Sequence, residues 1–259
     1  SVVAPALDVS AHLAGRGALS FDPGGLELLY RAATRGTFTR GDGTAVPKFV
    51  YLDMEEYRDM SLTAEVFMQT LDRDGLASSA AGMVLQSYLP DSFLIQQQLT
   101  EWAQQRVAQG GQPITLRIVK GANLEMERVE ASLRGWPQAP FTRKIETDAN
   151  FKRMLEFGLT ADRHRAVRLG VASHNLFDVG YALVLAAENQ ALENVQFEML
   201  EGMANPQRRA LFALTNNVLL YAPACNQQDF IHAIGYLVRR LDENTGAENF
   251  LRYAFALTP

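Results

Sequence analysis

The chain is poor in cysteine and lysine, and it has no long hydrophobic run. Its single cysteine, Cys225, among 259 residues excludes an internal disulfide framework and fits a reducing compartment. No apolar stretch approaches the ~18 residues that a membrane-crossing helix needs, and no secretory h-region is visible. A net charge of −5 gives no general attraction for nucleic acid or anionic lipid. Neither G-x-G-x-x-G nor a Walker A loop occurs, so a Rossmann nucleotide site is excluded. Lysine is confined to Lys48, Lys120, Lys144 and Lys152, which leaves arginine to carry most of the positive charge. That bias suits planar, bidentate recognition of carboxylate or phosphate, and it also follows from a GC-rich genome.

Short β-branched runs recur, each followed by a longer helical pattern. The alternation predicts strands at Phe49–Met54, Gly82–Ser87, Ile114–Lys120, Val167–Ser173, Val195–Leu200 and Val218–Tyr221. Apolar spacing predicts helices at Gly25–Thr34, Thr63–Leu71, Asp91–Ala108, Leu124–Leu133, Asp148–Phe157, Phe177–Ala187, Pro206–Leu214 and Gln228–Asn244. Strand and helix in alternation argue for parallel strands with helical crossovers. Six strands, with a remnant of another at Ser1–Val3, fit a distorted or incomplete (β/α)8 TIM barrel better than a doubly wound sheet. No low-complexity linker interrupts the pattern, so residues 1–259 read as a single domain. The least regular region is Asp8–Pro47, rich in Gly, Ala and Thr.

In such a barrel the chemistry sits at the C-terminal ends of the strands. The first predicted strand runs into "YLDMEEYRD", with Asp53, Glu55 and Glu56. Gln86 ends the second. Arg117 and Lys120 belong to "TLRIVKGAN", His174 and Asn175 to "GVASHN", Glu198 and Glu201 to "FEMLEGM", and Tyr221 to "LLYAPAC". One such residue reads as a cap or a satisfied polar group; six successive strands carrying them read as a site. Two chemistries could use the ring. Asp53, Glu55, His174 and Glu198 are the donor types of a divalent-metal isomerase or hydrolase. Arg117, Lys120, Gln86 and His174 would instead suit an anionic, phosphate-bearing cofactor, with the Lys120-Gly121 turn as an anion-binding helix N-terminus.

Near the C-terminus, "YLVRRLDENTG" puts Tyr236, Arg239, Arg240 and Glu243 on one helical face. Taken alone, this is a solvated face with an intrahelical ion pair worth about 0.3–0.5 kcal/mol.

The ordered set "YLDMEEYRD", "RIVKGAN", "FTRKIETD", "ASHN", "FEMLEGM", "YAP" and "YLVRRLDEN" resembles the flavin-dependent proline dehydrogenases, including that domain of bacterial proline utilisation A. The resemblance runs from about Lys48 to Phe255. It implies a distorted (β/α)8 barrel with a truncated first strand and the last helix over the barrel top. It also implies noncovalent FAD at the strand C-termini and oxidation of L-proline to Δ1-pyrroline-5-carboxylate, with electrons passed to a membrane quinone. By motif, Arg239 and Arg240 would clamp the substrate carboxylate, with Glu243 and Asp53 holding the arginines. Tyr221, Tyr236 and Leu200 would wall the pyrrolidine ring.

Arg117, Val119, Lys120, Gly121, Ala122, Gln86, Thr142, Lys144, His174, Asn175 and Glu198 would hold the flavin, Arg117 near its N5 edge. The implied location is cytoplasmic, or peripheral at the inner membrane face, with proline-like carboxylates as inhibitors. The pattern departs from the family at two points. The family's first-strand lysine is missing, which leaves a catalytically impaired flavin-binding barrel as an alternative. Asn123 and Leu124 stand where many relatives have aromatics. Nothing resembles an aldehyde dehydrogenase half, and both a monofunctional enzyme and an excised domain fit.

Overall fold

The computed structural model describes residues 23–39, 43–54, 56–121, 123–215, 217–222, 225–231, 233–235, 238 and 250–253. A helix, α1 (Pro23–Arg35), leads into an antiparallel hairpin of β1 (Thr37–Thr39) and β2 (Ala45–Pro47). Six parallel strands follow: β3 (Val50–Leu52), β4 (Ala81–Gln86), β5 (Ile114–Val119), β6 (Val167–Ala172), β7 (Val195–Leu200) and β8 (Val218–Tyr221). They pair in chain order, which is the simplest outcome of right-handed crossovers repeated along a sheet. The crossover helices are α2 (Met60–Leu71), α3 (Ser92–Ala108), α4 (Leu124–Arg134), α5 (Lys144–Leu159), α6 (Leu176–Glu188) and α7 (Asn205–Leu214).

Burial on both faces explains why the strands read as apolar runs. Every residue of β4 is buried, and Ile114, Leu116 and Ile118 of β5 join Leu169 and Val171 of β6 in the same core. The helices cover the sheet with matching stripes. In α2, Met60, Ala64, Phe67 and Leu71 recur every three or four residues and are buried, each large side chain among them contributing about 1.5–3 kcal/mol. Helix α1 adds Leu26, Tyr30 and Ala33, with Tyr30 meeting Phe67 edge to face at 6.4 Å.

The sheet is curled into a half-barrel, and one hydrogen bond demonstrates it. The Tyr51 hydroxyl on β3 donates to Glu198 Oε1 on β7 at 2.6 Å. In a flat sheet those two strands, four places apart, would be separated by about 19 Å. Curling of this degree is that of a distorted (β/α)8 barrel. All six predicted strands and the seven predicted helices up to Leu214 are present. The hairpin is an addition within the region that reads as irregular. The predicted last helix shows helical backbone at 230–231, 233–235 and 238. Tyr236, Arg239, Arg240 and Glu243 lie outside the described residues, as do Ser1–Val3, Glu55 and Ala122.

Candidate active site

Alternate strands build the interior of the barrel. Tyr51 comes from β3, Arg117 from β5 and Glu198 from β7, while the strands between them place glycines alongside. Gly82 is paired with Tyr51 and Gly170 with Arg117. A Cβ at position 82 would lie 2.5 Å from the Tyr51 ring, and one at position 170 would lie 2.2 Å from Glu198 Oε1. The two glycines therefore make the space that the larger polar side chains fill, the layered packing expected inside such a barrel.

Glu198 is the centre of this layer. Its side chain is completely buried, and Oε2 sits 2.7 Å from Arg117 Nε while Oε1 takes the Tyr51 hydroxyl. The Arg117 guanidinium also lies over the Tyr221 ring, 4.4 Å from its centroid. Burial pushes the Glu198 carboxyl above its usual range, and the Arg117 charge opposes that rise without cancelling it. Burial alone would pull Arg117 down, but the charges around it, Glu198 first, more than restore it. The phenols of Tyr51 and Tyr221 are both pushed up, first by burial and then by the Glu198 charge. Asp53 is exposed just beyond β3 and adds negative field at Arg117 and Tyr221. Among the described residues, the terminal nitrogens of Arg117 have no hydrogen-bond acceptor.

A second polar group lies where β5 and β6 end. Lys120 Nζ is 2.6 Å from Asp148 Oδ1 and 2.7 Å from Asp178 Oδ2. Asp148, on α5, also accepts from Lys144 at 2.5 Å. Burial raises its carboxyl, but the hydrogen bonds from Lys120 and Lys144 outweigh that and hold it below the usual value. Asp178, buried in the first turn of α6, accepts from Ser173 Oγ at 2.9 Å. Gly121 follows Lys120 with φ of 122°, and a Cβ there would fall 1.6 Å from the Tyr88 ring. Gln86, buried at the end of β4, donates to the Met54 carbonyl.

The remaining candidates are spread around the same end of the barrel. His174 Nε2 accepts the Leu200 backbone N–H at 3.0 Å, which binds the β6 and β7 ends together. Asn175 caps α6 by accepting from the Phe177 amide at 3.0 Å. Val119 and Leu200 are half-buried, and Thr142 is exposed before α5. Helix α4 opens at Leu124 with Glu125 and Glu127 in its first turn, and Glu127 accepts the Tyr57 amide at 2.6 Å.

Of the donor types expected for a divalent metal, Asp53, His174 and Glu198 form no cluster among the described residues, and Glu55 lies outside them. Glu198 is engaged by Arg117 and His174 by Leu200, and no group of three metal-ligating side chains occurs among the described residues.

Sequence reading misses Tyr51, Gly170, Asp148 and Asp178. Tyr51 does carry a signal. It stands two residues before Asp53, so both fall on one face, and only the charged member of that face attracts notice in the sequence. Asp148 and Asp178 read only as residues at helix starts, and nothing local shows that Lys120 reaches both.

The family model for proline dehydrogenase matches residues 9–253. None of the curated proteins matches the chain. Among solved structures, proline utilisation A (PutA) from Corynebacterium freiburgense is 44% identical with a TM-score of 0.78, covering 86% of this chain and 22% of its own. PutA from Bdellovibrio bacteriovorus, inactivated by N-propargylglycine, is 35% identical with a TM-score of 0.78, covering 90% of this chain and 23% of its own. A PutA structure with proline bound in remote sites is 26% identical with a TM-score of 0.66, over 78% of this chain and 20% of its own. The chain thus spans less than a quarter of the length of the PutA proteins it resembles. By the family match over most of its length and by these likenesses, the chain belongs to the proline dehydrogenase family.

Proposed function

We propose that this chain oxidises L-proline to Δ1-pyrroline-5-carboxylate, using FAD held at the C-terminal end of the barrel and a quinone as final acceptor. Arg117 carries the reading. It is a mostly buried cation, fixed through Nε by Glu198, whose terminal nitrogens have no acceptor among the described residues. A preorganised donor of this kind suits a group that gains negative charge during reaction. The chemistry of the donor set therefore fits a flavin. Gln86, Val119, Lys120, Gly121, Ala122, Thr142, Lys144, His174, Asn175 and Glu198 would complete its surroundings. When bound, FAD supplies the acceptor for the hydride that leaves proline C5.

The chain's own residues bind and orient the substrate. Arg239 and Arg240 pair with its carboxylate through forked, permanently charged donors, while Asp53 and Glu243 offset the arginines. Tyr221, Tyr236 and Leu200 pack on the ring and exclude water. As a domain, residues 1–259 would act as one unit within a longer PutA-like protein or by themselves.

Purified protein should be yellow, and L-proline added without oxygen should bleach the flavin band. A colourless protein that FAD cannot reconstitute, or a yellow one that proline leaves unchanged at high concentration, overturns the reading. The second result would favour a flavin-binding barrel that does not turn over.

A further inference from the structure

We propose that Tyr51 is a positioning residue for this reaction, its hydroxyl acting through Glu198 to hold the Arg117 guanidinium in place. The inference deepens the flavin reading above and rests on it.

The geometry separates what the Tyr51 ring does from what its hydroxyl does. The ring packs edge to face on Phe49 at 4.5 Å and fills the space over Gly82, which phenylalanine would do equally well. The hydroxyl donates to Glu198 Oε1 at 2.6 Å. Glu198 in turn gives Oε1 to the Tyr51 hydroxyl and Oε2 to the arginine, and the Tyr221 hydroxyl also faces its carboxylate. Gly170 leaves no slack, because a Cβ there would also stand 3.0 Å from the Tyr51 hydroxyl.

Among the described residues, the groups facing Glu198 are Tyr51 from β3, Arg117 from β5 and Tyr221 from β8, with Asp53 farther out and Gly170 on β6. A carboxylate in so dry a place rotates or takes up a proton when one of its donors is removed. Either change loosens Arg117, whose other restraint is the face of the Tyr221 ring.

The test is Tyr51→Phe in the FAD-loaded protein. Hydrogen bonds to charged groups govern the expected size, so the rate at which proline bleaches the flavin should fall about tenfold to a hundredfold. KM for proline should stay within about twofold, because the carboxylate clamp is proposed for Arg239 and Arg240 and not for this group. The acid limb of the rate profile should move to higher pH, since Glu198 without the hydroxyl holds its proton more readily. In a Glu198→Gln background, Tyr51→Phe should add less than about twofold, the signature of two residues acting as one unit.

A separate readout needs no flavin: the carboxyl 13C resonance of Glu198, titrated in the flavin-free protein, should show a higher midpoint in Tyr51→Phe. Equal bleaching rates in parent and variant, an unmoved midpoint, or an undiminished effect in the Glu198→Gln background would each overturn the inference and leave the flavin reading standing. A parent that binds no FAD would overturn both.

Discussion

His174 shows how a single side chain gets its role from its surroundings. Its Nε2 accepts the Leu200 amide, so the ring must be neutral with its proton on Nδ1. Burial pushes the imidazole below its ordinary value of 6.5. With the folded value lower than the unfolded one, the unfolded chain takes up the proton first. Stability from this group is therefore complete above about pH 6.5 and is lost as pH falls through the folded-state value. His174→Gln removes the titration. Thermal melts should show the parent losing stability more steeply than the variant below about pH 6.5, by at most about 1.4 kcal/mol per pH unit. Identical slopes would mean the Leu200 bond does not depend on the ring's charge. The sequence marks His174 as a site candidate but does not show its partner, which arrives from a strand 26 positions away.

At the scale of elements, the β5–α4 turn is tightly constrained at Gly121. Gly121 combines a φ of 122° with a Cβ position already occupied by the Tyr88 ring. Gly121→Ala should cost about 2–5 kcal/mol, left-handed strain and overpacking together, read as a lower urea midpoint. A midpoint within about 0.5 kcal/mol of the parent would show that the turn yields.

Strand positions are legible because each strand is a short apolar run that ends near a polar residue or glycine. The apolar spacing starts α5 at Asp148, four residues late, because its cap is Arg143 rather than a short polar residue. There the Glu146 carboxylate accepts both the Arg143 amide at 3.1 Å and its guanidinium at 2.9 Å. The hairpin escapes notice because strands of three residues, turned near Gly43, carry too little pattern to stand out. Arg106, in the sequence one more helix residue, proves to be a buried tie. It donates to the carbonyls of Leu71 and Leu76 at 2.7 Å each, joining α3 to the end of α2.

For the molecule as a whole, the proposed reaction needs the barrel interior and the proposed clamp residues Arg239 and Arg240 to act together. If Arg239 and Arg240 clamp the substrate carboxylate, replacing either with methionine should lower kcat/KM for proline roughly thirtyfold to several thousandfold, from the loss of about 2–5 kcal/mol. The flavin spectrum should survive, because the residues proposed to hold the flavin come from the strand ends and the start of α5. Parental kcat/KM in both variants would remove the clamp.

Apart from the β1–β2 hairpin, the order and nature of the elements up to Leu214, the parallel barrel and the family motifs are legible in the linear chain. They depend on periodicity and on residues close together in the chain, where 3.6 and 2.0 residue repeats make the pattern explicit. Which side chains meet is settled in three dimensions. Closing the sheet brings Tyr51, Arg117 and Glu198 together across 66 and 81 positions of chain, and Lys120 to two aspartates on different helices. Such meetings depend on strand curl and on the space that Gly82 and Gly170 leave, and a linear pattern does not encode either.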